Sequence, residues 1–343
     1  MNIEEAKISA LRSIIAGSSG FVIVVHSHPD GDALGSGTAL RQYLLSKGKN
    51  ASIIVPDSLP DTIKFLTDGE SVIEADKSPR EAQERLAACE VLFVLDMNAF
   101  SRAERFEGAL RACKAESKVL IDHHLNPRTE EFDLVFSRTD ISSTCELLFD
   151  ILEALEGEIK NLPPKALYAL MTGMTTDTNN FANSVYPGTL RMAGMLLGEG
   201  VDREDIISHL YREYSETRVR AFAALLSKKM KILPGGVACT IVRDDFKKEY
   251  PLGDGEYEGL VNIPLEIKEV KMSILLKEYD GHFRVSIRSK KGLSANRLAK
   301  KYFNGGGHEQ AAGGKLFFPG DIPSADAADA YAESAVAQFL QTD

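Results

Sequence analysis

Four short apolar runs, at residues 21–25, 51–55, 91–95 and 118–121, constrain the fold of this chain more than any other feature. They are rich in β-branched residues and apolar nearly throughout, as in Phe21-Val22-Ile23-Val24-Val25 and Val91-Leu92-Phe93-Val94-Leu95. Each is followed by polar residues, and helix-length stretches separate them. Strands apolar on both sides, alternating with helices, predict a parallel sheet covered by helices on both faces. In such sheets ligands bind beyond the carboxyl ends of the strands, so the residues that follow each run become the candidates for function.

Beyond residue 141 the pattern turns helical, with helices predicted over 142–155, 163–175, 187–197, 202–212 and 215–232. Pro163 and Pro164 suit a first helical turn. Pro234-Gly235-Gly236 is the strongest punctuation in the chain. After it come predicted strands at 237–242, 271–276 and 283–287, a helix at 294–302, a glycine-rich turn, a strand at 315–318 and a helix at 325–340. The expected organisation is an α/β domain over 1–200 with a parallel sheet and helices on both faces, a helical connector over 201–234, and a smaller α/β domain over 235–343.

The composition, 44% hydrophobic and 26% charged, is that of a globular chain and excludes a disordered or fibrous one. Lys and Arg number 40 against 50 Asp and Glu, a net charge of −10, which disfavours a coat for long polyanions unless basic residues cluster or metal is bound. No apolar run reaches the length of a membrane span. The acidic start Met1-Asn2-Ile3-Glu4-Glu5 reads as an amphipathic helix rather than a signal peptide, so a cytoplasmic location is expected. The cysteines at 89, 113, 145 and 239 form no C-x-x-C pair and are expected to be reduced thiols, in the core or semi-buried.

Chemistry concentrates at the strand ends. The first run leads into His26-Ser27-His28-Pro29-Asp30-Gly31-Asp32. A helix cap needs one Asp, whereas this segment offers two carboxylates and a histidine, donors that suit Mn²⁺ or Mg²⁺. Asp96 follows the third run and Asp122-His123-His124 the fourth, while Asp177 closes an apolar helix. Such clusters at compatible ends supply ligands for two metals, and a two-metal site clamps the attacking and leaving oxygens of a phosphoryl displacement. His209 and His282 read as structural.

In these residues the chain resembles the DHH phosphoesterases, named for the triplet present here as Asp122-His123-His124. The resemblance implies that His26, Asp30, Asp32, Asp96, His123 and Asp177 ligate two divalent cations, usually Mn²⁺ with Mg²⁺ as the other option. It implies that Asp96 bridges them, that Asp122 orients a ligand histidine, and that His124 contacts phosphate or helps in proton transfer. Gly305-Gly306-Gly307-His308-Glu309-Gln310-Ala311-Ala312-Gly313-Gly314 is similar to the signature of the DHHA1 domain. There Arg288, Ser289, Ser294, Asn296, Gly306, Gly307 and His308 are expected to face the substrate. Arg102 could steady a phosphate or make a plain helix-terminal salt bridge, and His28 could be an outer contact or nothing.

A DHH domain joined directly to DHHA1 is similar to the NrnA-type nano-RNase and pAp-phosphatase group. This implies a manganese-dependent hydrolase of short oligonucleotides or 3′,5′-bisphosphonucleosides, acting through water activated by two metals. Hydrolysis of inorganic polyphosphate or pyrophosphate is the rival reaction, and a non-catalytic nucleic-acid-binding module the rival outside enzymes. A homodimer is compatible with the reading, and no membrane or extended nucleic-acid partner is expected. Residues 284–315 carry eight Lys and Arg against the single acid Glu309, so they sum to +7 and the remainder to −17. The overall charge therefore combines a phosphate-gripping basic segment with an acidic, metal-binding remainder, which suits a short anionic substrate.

Overall fold

The computed structural model describes residues 4–67 and 72–342. The chain divides into two compact units between Glu213 and Tyr214. In the first, α1 (Glu5–Gly17) precedes β1 (Gly20–Val24), α2 (Gly31–Ser46), β2 (Asn50–Val55), β3 (Val72–Glu74), α3 (Pro79–Ala88) and β4 (Val91–Leu95). There follow α4 (Glu107–Ala112), β5 (Ser117–Asp122), β6 (Leu134–Ser137), α5 (Thr144–Glu156), α6 (Pro164–Asp177), α7 (Pro187–Gly198) and α8 (Arg203–Tyr211). The six strands pair in the order β3-β2-β1-β4-β5-β6, all parallel. Because β1 lies between β2 and β4, the chain leaves it in one direction and returns on the other side, which opens a crevice at the carboxyl edge.

The apolar runs are explained by burial on both faces. Phe21, Ile23, Phe93, Leu95, Val119 and Ile121 pack under α1, α2 and α5 to α8, while Val22, Val24, Leu92, Val94 and Leu120 pack against α3, α4 and Phe100. The edge strands β3 and β6 fall outside the four predicted runs. They are short and half-exposed, so they carry little of the apolar signal.

The second unit contains α9 (Glu216–Ala224), β7 (Lys231–Leu233), β8 (Val237–Val242), α10 (Asp244–Glu249), β9 (Met272–Tyr279) and β10 (His282–Ser289). It continues through α11 (Ala295–Tyr302), β11 (Gly306–Gly307), β12 (Ala311–Phe317) and α12 (Ala328–Thr342). Its sheet runs β11-β12-β10-β9-β8-β7, antiparallel except for β8 beside β9. Helices α11 and α12 cover one face, and α9 and α10 the other.

Three details differ from the sequence expectation. The helix predicted to run to residue 232 ends at Lys229 in a π-turn, and residues 231–233 form β7 instead. Gly235 and Gly236, both at positive φ, fold β7 back onto β8, and that pairing overrides helical propensity. The stretch 201–234 is divided rather than a separate connector, because Ile206 and Leu210 of α8 are buried in the first core and Ala221 and Leu225 in the second. The strand expected at 315–318 begins at Ala311, since glycines without side chains let β11 and β12 pair closely. The four cysteines are free and buried, as expected. Among the described residues no helix is long and apolar enough to cross a membrane.

Candidate metal centre and active site

The carboxyl edge of the first sheet gathers His26, Asp30, Asp32, Asp96, Asp122, His123, His124 and Asp177, and the 3-10 turn after β4 brings Arg102 beside them, its carbonyl accepting the Ser27 amide at 2.9 Å. Asp30 caps α2, its Oδ1 accepting the amides of Asp32 and Ala33 at 3.0 Å each. Its Oδ2 lies 3.9 Å from His26 Nε2. His26 Nδ1 donates to the Ser27 carbonyl at 2.8 Å, which directs Nε2 toward Asp96 Oδ2, 3.4 Å away. Asp96 sits just past β4 at φ +57°, a left-handed conformation that costs a non-glycine residue about 1–3 kcal/mol and clusters at functional sites. Its amide donates to the Ile121 carbonyl at 3.1 Å and holds the bend.

The two oxygens of Asp96 face opposite partners. Oδ2 faces His26, and Oδ1 lies 3.5 Å from His123 Nε2. His123 Nε2 is in turn 3.5 Å from Asp177 Oδ2 and 3.9 Å from Asp32 Oδ2. Two donor sets result, His26–Asp30–Asp96 and Asp32–Asp96–His123, each with its ligand atoms within 4.8 Å of one another and with Asp96 common to both. Asp122 turns toward the second histidine of the triplet. Its Oδ1 pairs with His124 Nδ1 at 2.8 Å and its Oδ2 accepts the His124 amide at 3.1 Å, so the imidazole it orients is that of His124. The ordinary side of His28 also emerges: its amide donates to Asp57 Oδ2 at 2.9 Å.

Burial pushes the Asp96 carboxyl well above the usual range, and Asp30, Asp177 and Asp122 push it further. Asp32 is pushed up to about 7 by burial and by Asp96. Asp30 is held low: burial opposes its ionisation, but His26 and the Ala33 amide outweigh it. Burial also keeps His26 and His124 below the ordinary imidazole value. Carboxylates crowded into a buried site cost several kcal/mol per ion unless positive charge compensates them, and burial works against the cationic form of His26 and His124. The donor set therefore fits divalent cations. Arg102 is exposed and has no carboxylate partner among the described residues, and its charge acts on both His26 and His124.

A pH signature follows. With Asp32 near 7 in the folded chain and about 3.9 unfolded, the folded state binds the extra proton between those values. The metal-free protein should then lose stability as pH rises from about 4 to about 7. Metal binding requires deprotonated ligands, so stabilisation by Mn²⁺ should grow over the same window. Thermal melts in chelator and in Mn²⁺ should diverge with rising pH, and Asp32→Asn should flatten the chelator slope. An unchanged slope in that variant would remove Asp32 as the titrating group.

Helices α2 and α6 must nearly touch to bring Asp30 and Asp32 beside Asp177. A Cβ on Gly35 would stand 2.7 Å from the Ala169 carbonyl oxygen and 3.1 Å from the Gly173 amide nitrogen. Gly35→Ala is expected to cost about 1–3 kcal/mol through overpacking. A melting point lower by about 2–4 °C per kcal/mol, with weaker metal binding, is the outcome to measure by differential scanning fluorimetry.

The second-unit residues gather around the start of α11 and the β11–β12 turn. Asn296 Nδ2 donates to the Gly307 carbonyl at 2.6 Å, while its Oδ1 is buried without a partner among the described residues. Gly307 adopts φ +143°, where a Cβ would strike the Ala311 carbonyl. Gly306 and His308 flank it, both half-buried, and the His308 amide donates to the Ala311 carbonyl at 2.8 Å. Arg288 is half-buried and donates to the Ile287 carbonyl at 3.0 Å. Ser289 and Ser294 differ from the substrate-facing role expected of them, since both are buried. The Ser289 hydroxyl donates to the Leu293 carbonyl at 2.7 Å, and Ser294 caps α11 while donating to Glu309 Oε2 at 2.9 Å. Ordering the loop takes these hydroxyls, as an N-cap does.

The profile of the DHH family, N-terminal domain, matches residues 20–174, and the DHHA1 domain matches residues 249–333. A solved structure, that of an exopolyphosphatase-related protein from Bacteroides fragilis, is 31% identical. The match covers 98% of this chain and 97% of that chain at a TM-score of 0.90. This chain belongs to the DHH family. The DHH relatives include the probable bifunctional oligoribonuclease and PAP phosphatase NrnA of Streptococcus mutans, 26% identical over 90% of this chain and 94% of that protein. The bifunctional oligoribonuclease and PAP phosphatase NrnA of Thermus thermophilus is 29% identical over 86% of this chain and 83% of that protein. As a DHH-family member with these relatives, the chain is a phosphoesterase, a hydrolase.

Within the DHH domain, sequence reasoning missed Thr144 and Cys145. Their amides donate to Asp32 Oδ2 and Oδ1 at 2.7 and 2.9 Å, and the Thr144 hydroxyl donates to Asp96 Oδ1 at 2.9 Å. The cap-like run Ser143-Thr144-Cys145-Glu146 marked a helix start, but nothing in it reports what that start faces.

Proposed function

We propose that the chain hydrolyses short oligonucleotides and 3′,5′-bisphosphonucleosides with two divalent cations, preferentially Mn²⁺. The observation that carries this reading is Asp96, whose two carboxylate oxygens belong to two adjacent donor sets. His26, Asp30 and Asp96 Oδ2 would hold one ion, and Asp32, Asp96 Oδ1, His123 and Asp177 the other. When bound, such a pair clamps the attacking and leaving oxygens of an in-line displacement and makes water a nucleophile at neutral pH.

The chain's own groups supply the rest. Asp122 engages His124 Nδ1, which leaves Nε2 as the atom offered to a phosphate oxygen or to the departing one. Arg102 adds fixed positive charge for the substrate anion. Arg288, Asn296, Gly306, Gly307 and His308 are the proposed nucleotide contacts of the DHHA1 domain, with Ser289 and Ser294 shaping their loop. The oligoribonuclease and PAP phosphatase names of the S. mutans and T. thermophilus relatives support this substrate class. The free cysteines accord with a reducing cytoplasm.

The exopolyphosphatase-related relative favours a second reading, hydrolysis of polyphosphate. A panel of 5′-labelled dinucleotide, pAp and polyphosphate, each with Mn²⁺, Mg²⁺ or chelator, separates the two. Metal-dependent turnover of the dinucleotide and pAp is expected. Turnover of polyphosphate alone would overturn the nucleotide assignment.

A further inference from the structure

Helix α5 starts at the metal centre, and its first residue reaches two of the proposed ligands. The helix has an ordinary cap, Ser143 Oγ accepting the Glu146 amide at 3.0 Å. The earlier amides, which in most helices meet solvent or a cap, are instead directed into the Asp32 carboxylate, Thr144 to Oδ2 at 2.7 Å and Cys145 to Oδ1 at 2.9 Å. The Thr144 hydroxyl donates at 2.9 Å to Asp96 Oδ1, the oxygen on the His123 side. Thr144 and Asp32 are buried, as is Asp96, so water does not replace these bonds if they are lost.

The other half of the cluster is braced without α5. Asp30 is fixed by the amides at the start of α2, and His26 by the Ser27 carbonyl. Asp96 Oδ2, on that side, receives nothing from α5 among the described hydrogen bonds. The six proposed ligands thus divide into two halves with different supports, sharing only the Asp96 carboxyl.

Resting on the two-cation reading above, we propose that Thr144 is a positioning residue for one cation only, the one assigned to Asp32, Asp96 Oδ1, His123 and Asp177. Its hydroxyl occupies a lone pair of Oδ1 and makes no bond to Oδ2 among the described hydrogen bonds, and outer hydrogen bonds of this kind are typically worth about 10–100-fold in metal affinity. Thr144→Val keeps the volume and the amide bond to Asp32 and removes only that donor. Thr144→Ser restores it.

The test is calorimetric titration of Mn²⁺ into the metal-free full chain, with melting curves run alongside. The wild type should bind two equivalents. In Thr144→Val one equivalent should weaken about 10–100-fold with the other within about twofold, and Thr144→Ser should return both to wild-type affinity. Activity of Thr144→Val on the dinucleotide should recover at high Mn²⁺ with an unchanged substrate KM. Wild-type affinity at both positions in Thr144→Val, or equal weakening of both, overturns the positioning role while leaving the two-cation reading intact. A wild type that binds a single equivalent overturns both.

Discussion

Asp96→Asn should abolish turnover, lowering kcat/KM by roughly a thousandfold or more, because several kcal/mol of charge stabilisation depend on this one carboxylate. Asp96 belongs to each of three overlapping donor groups, those completed by His26 and Asp30, by Asp32 and His123, and by Asp122 and His124. Asn is the informative replacement, since it tolerates the left-handed backbone at this position and nearly preserves volume. The variant should therefore fold, and in the metal-free state it should melt no lower than wild type, because it relieves the repulsion from Asp30, Asp177 and Asp122. Kinetics, Mn²⁺ titration and melting curves together decide the matter. Near-normal turnover in a folded Asp96→Asn protein would sink the two-cation assignment.

His124→Ala should separate chemistry from metal binding. The expected loss is about 10²–10⁴-fold in kcat, the usual range for a positioned proton-transfer group, with Mn²⁺ affinity changed by no more than a few fold. His124 Nδ1 is taken up by Asp122 Oδ1 at 2.8 Å and stands farther, 3.7 Å, from Asp96 Oδ1, so of the three groups its own is the one proposed to act on substrate. Its neighbour gives the contrast: His123 Nε2 faces Asp96, Asp32 and Asp177 at once, so His123→Ala should lose metal and activity together. If His124→Ala lost Mn²⁺ binding to the same degree as His123→Ala, His124 would be reassigned as a ligand.

Much of this was legible in the chain because the signals were local and strong. The parallel sheet was legible in its apolar runs, since strands buried on both faces cannot alternate polar and apolar residues. The acid and imidazole residues past those strands were legible because a parallel sheet delivers every strand end to the same edge. Resolution was poorer where the signal depended on partners. Edge strands β3 and β6 are too short and too exposed to stand out, and residues 231–233 became a strand only because β8 lies beside them. Ser289 and Ser294 carry the right chemistry for substrate contact, but the loop they brace consumes it.

The sequence by itself determined the architecture and the list of candidate metal-ligating residues, through hydrophobic periodicity and the placement of Asp and His at strand ends. Tertiary structure alone decided how those residues are used. It placed one Asp96 oxygen on each side of the cluster, assigned Asp122 to His124, and turned the start of α5 onto Asp32 and Asp96. Each of these depends on a backbone bend or a helix crossing between residues far apart in the chain, such as the left-handed Asp96 and the contact between Gly35 and Gly173. Periodicity reports which face of an element is buried, but orientation within a buried cluster is set by hydrogen bonds that form only after the elements have packed.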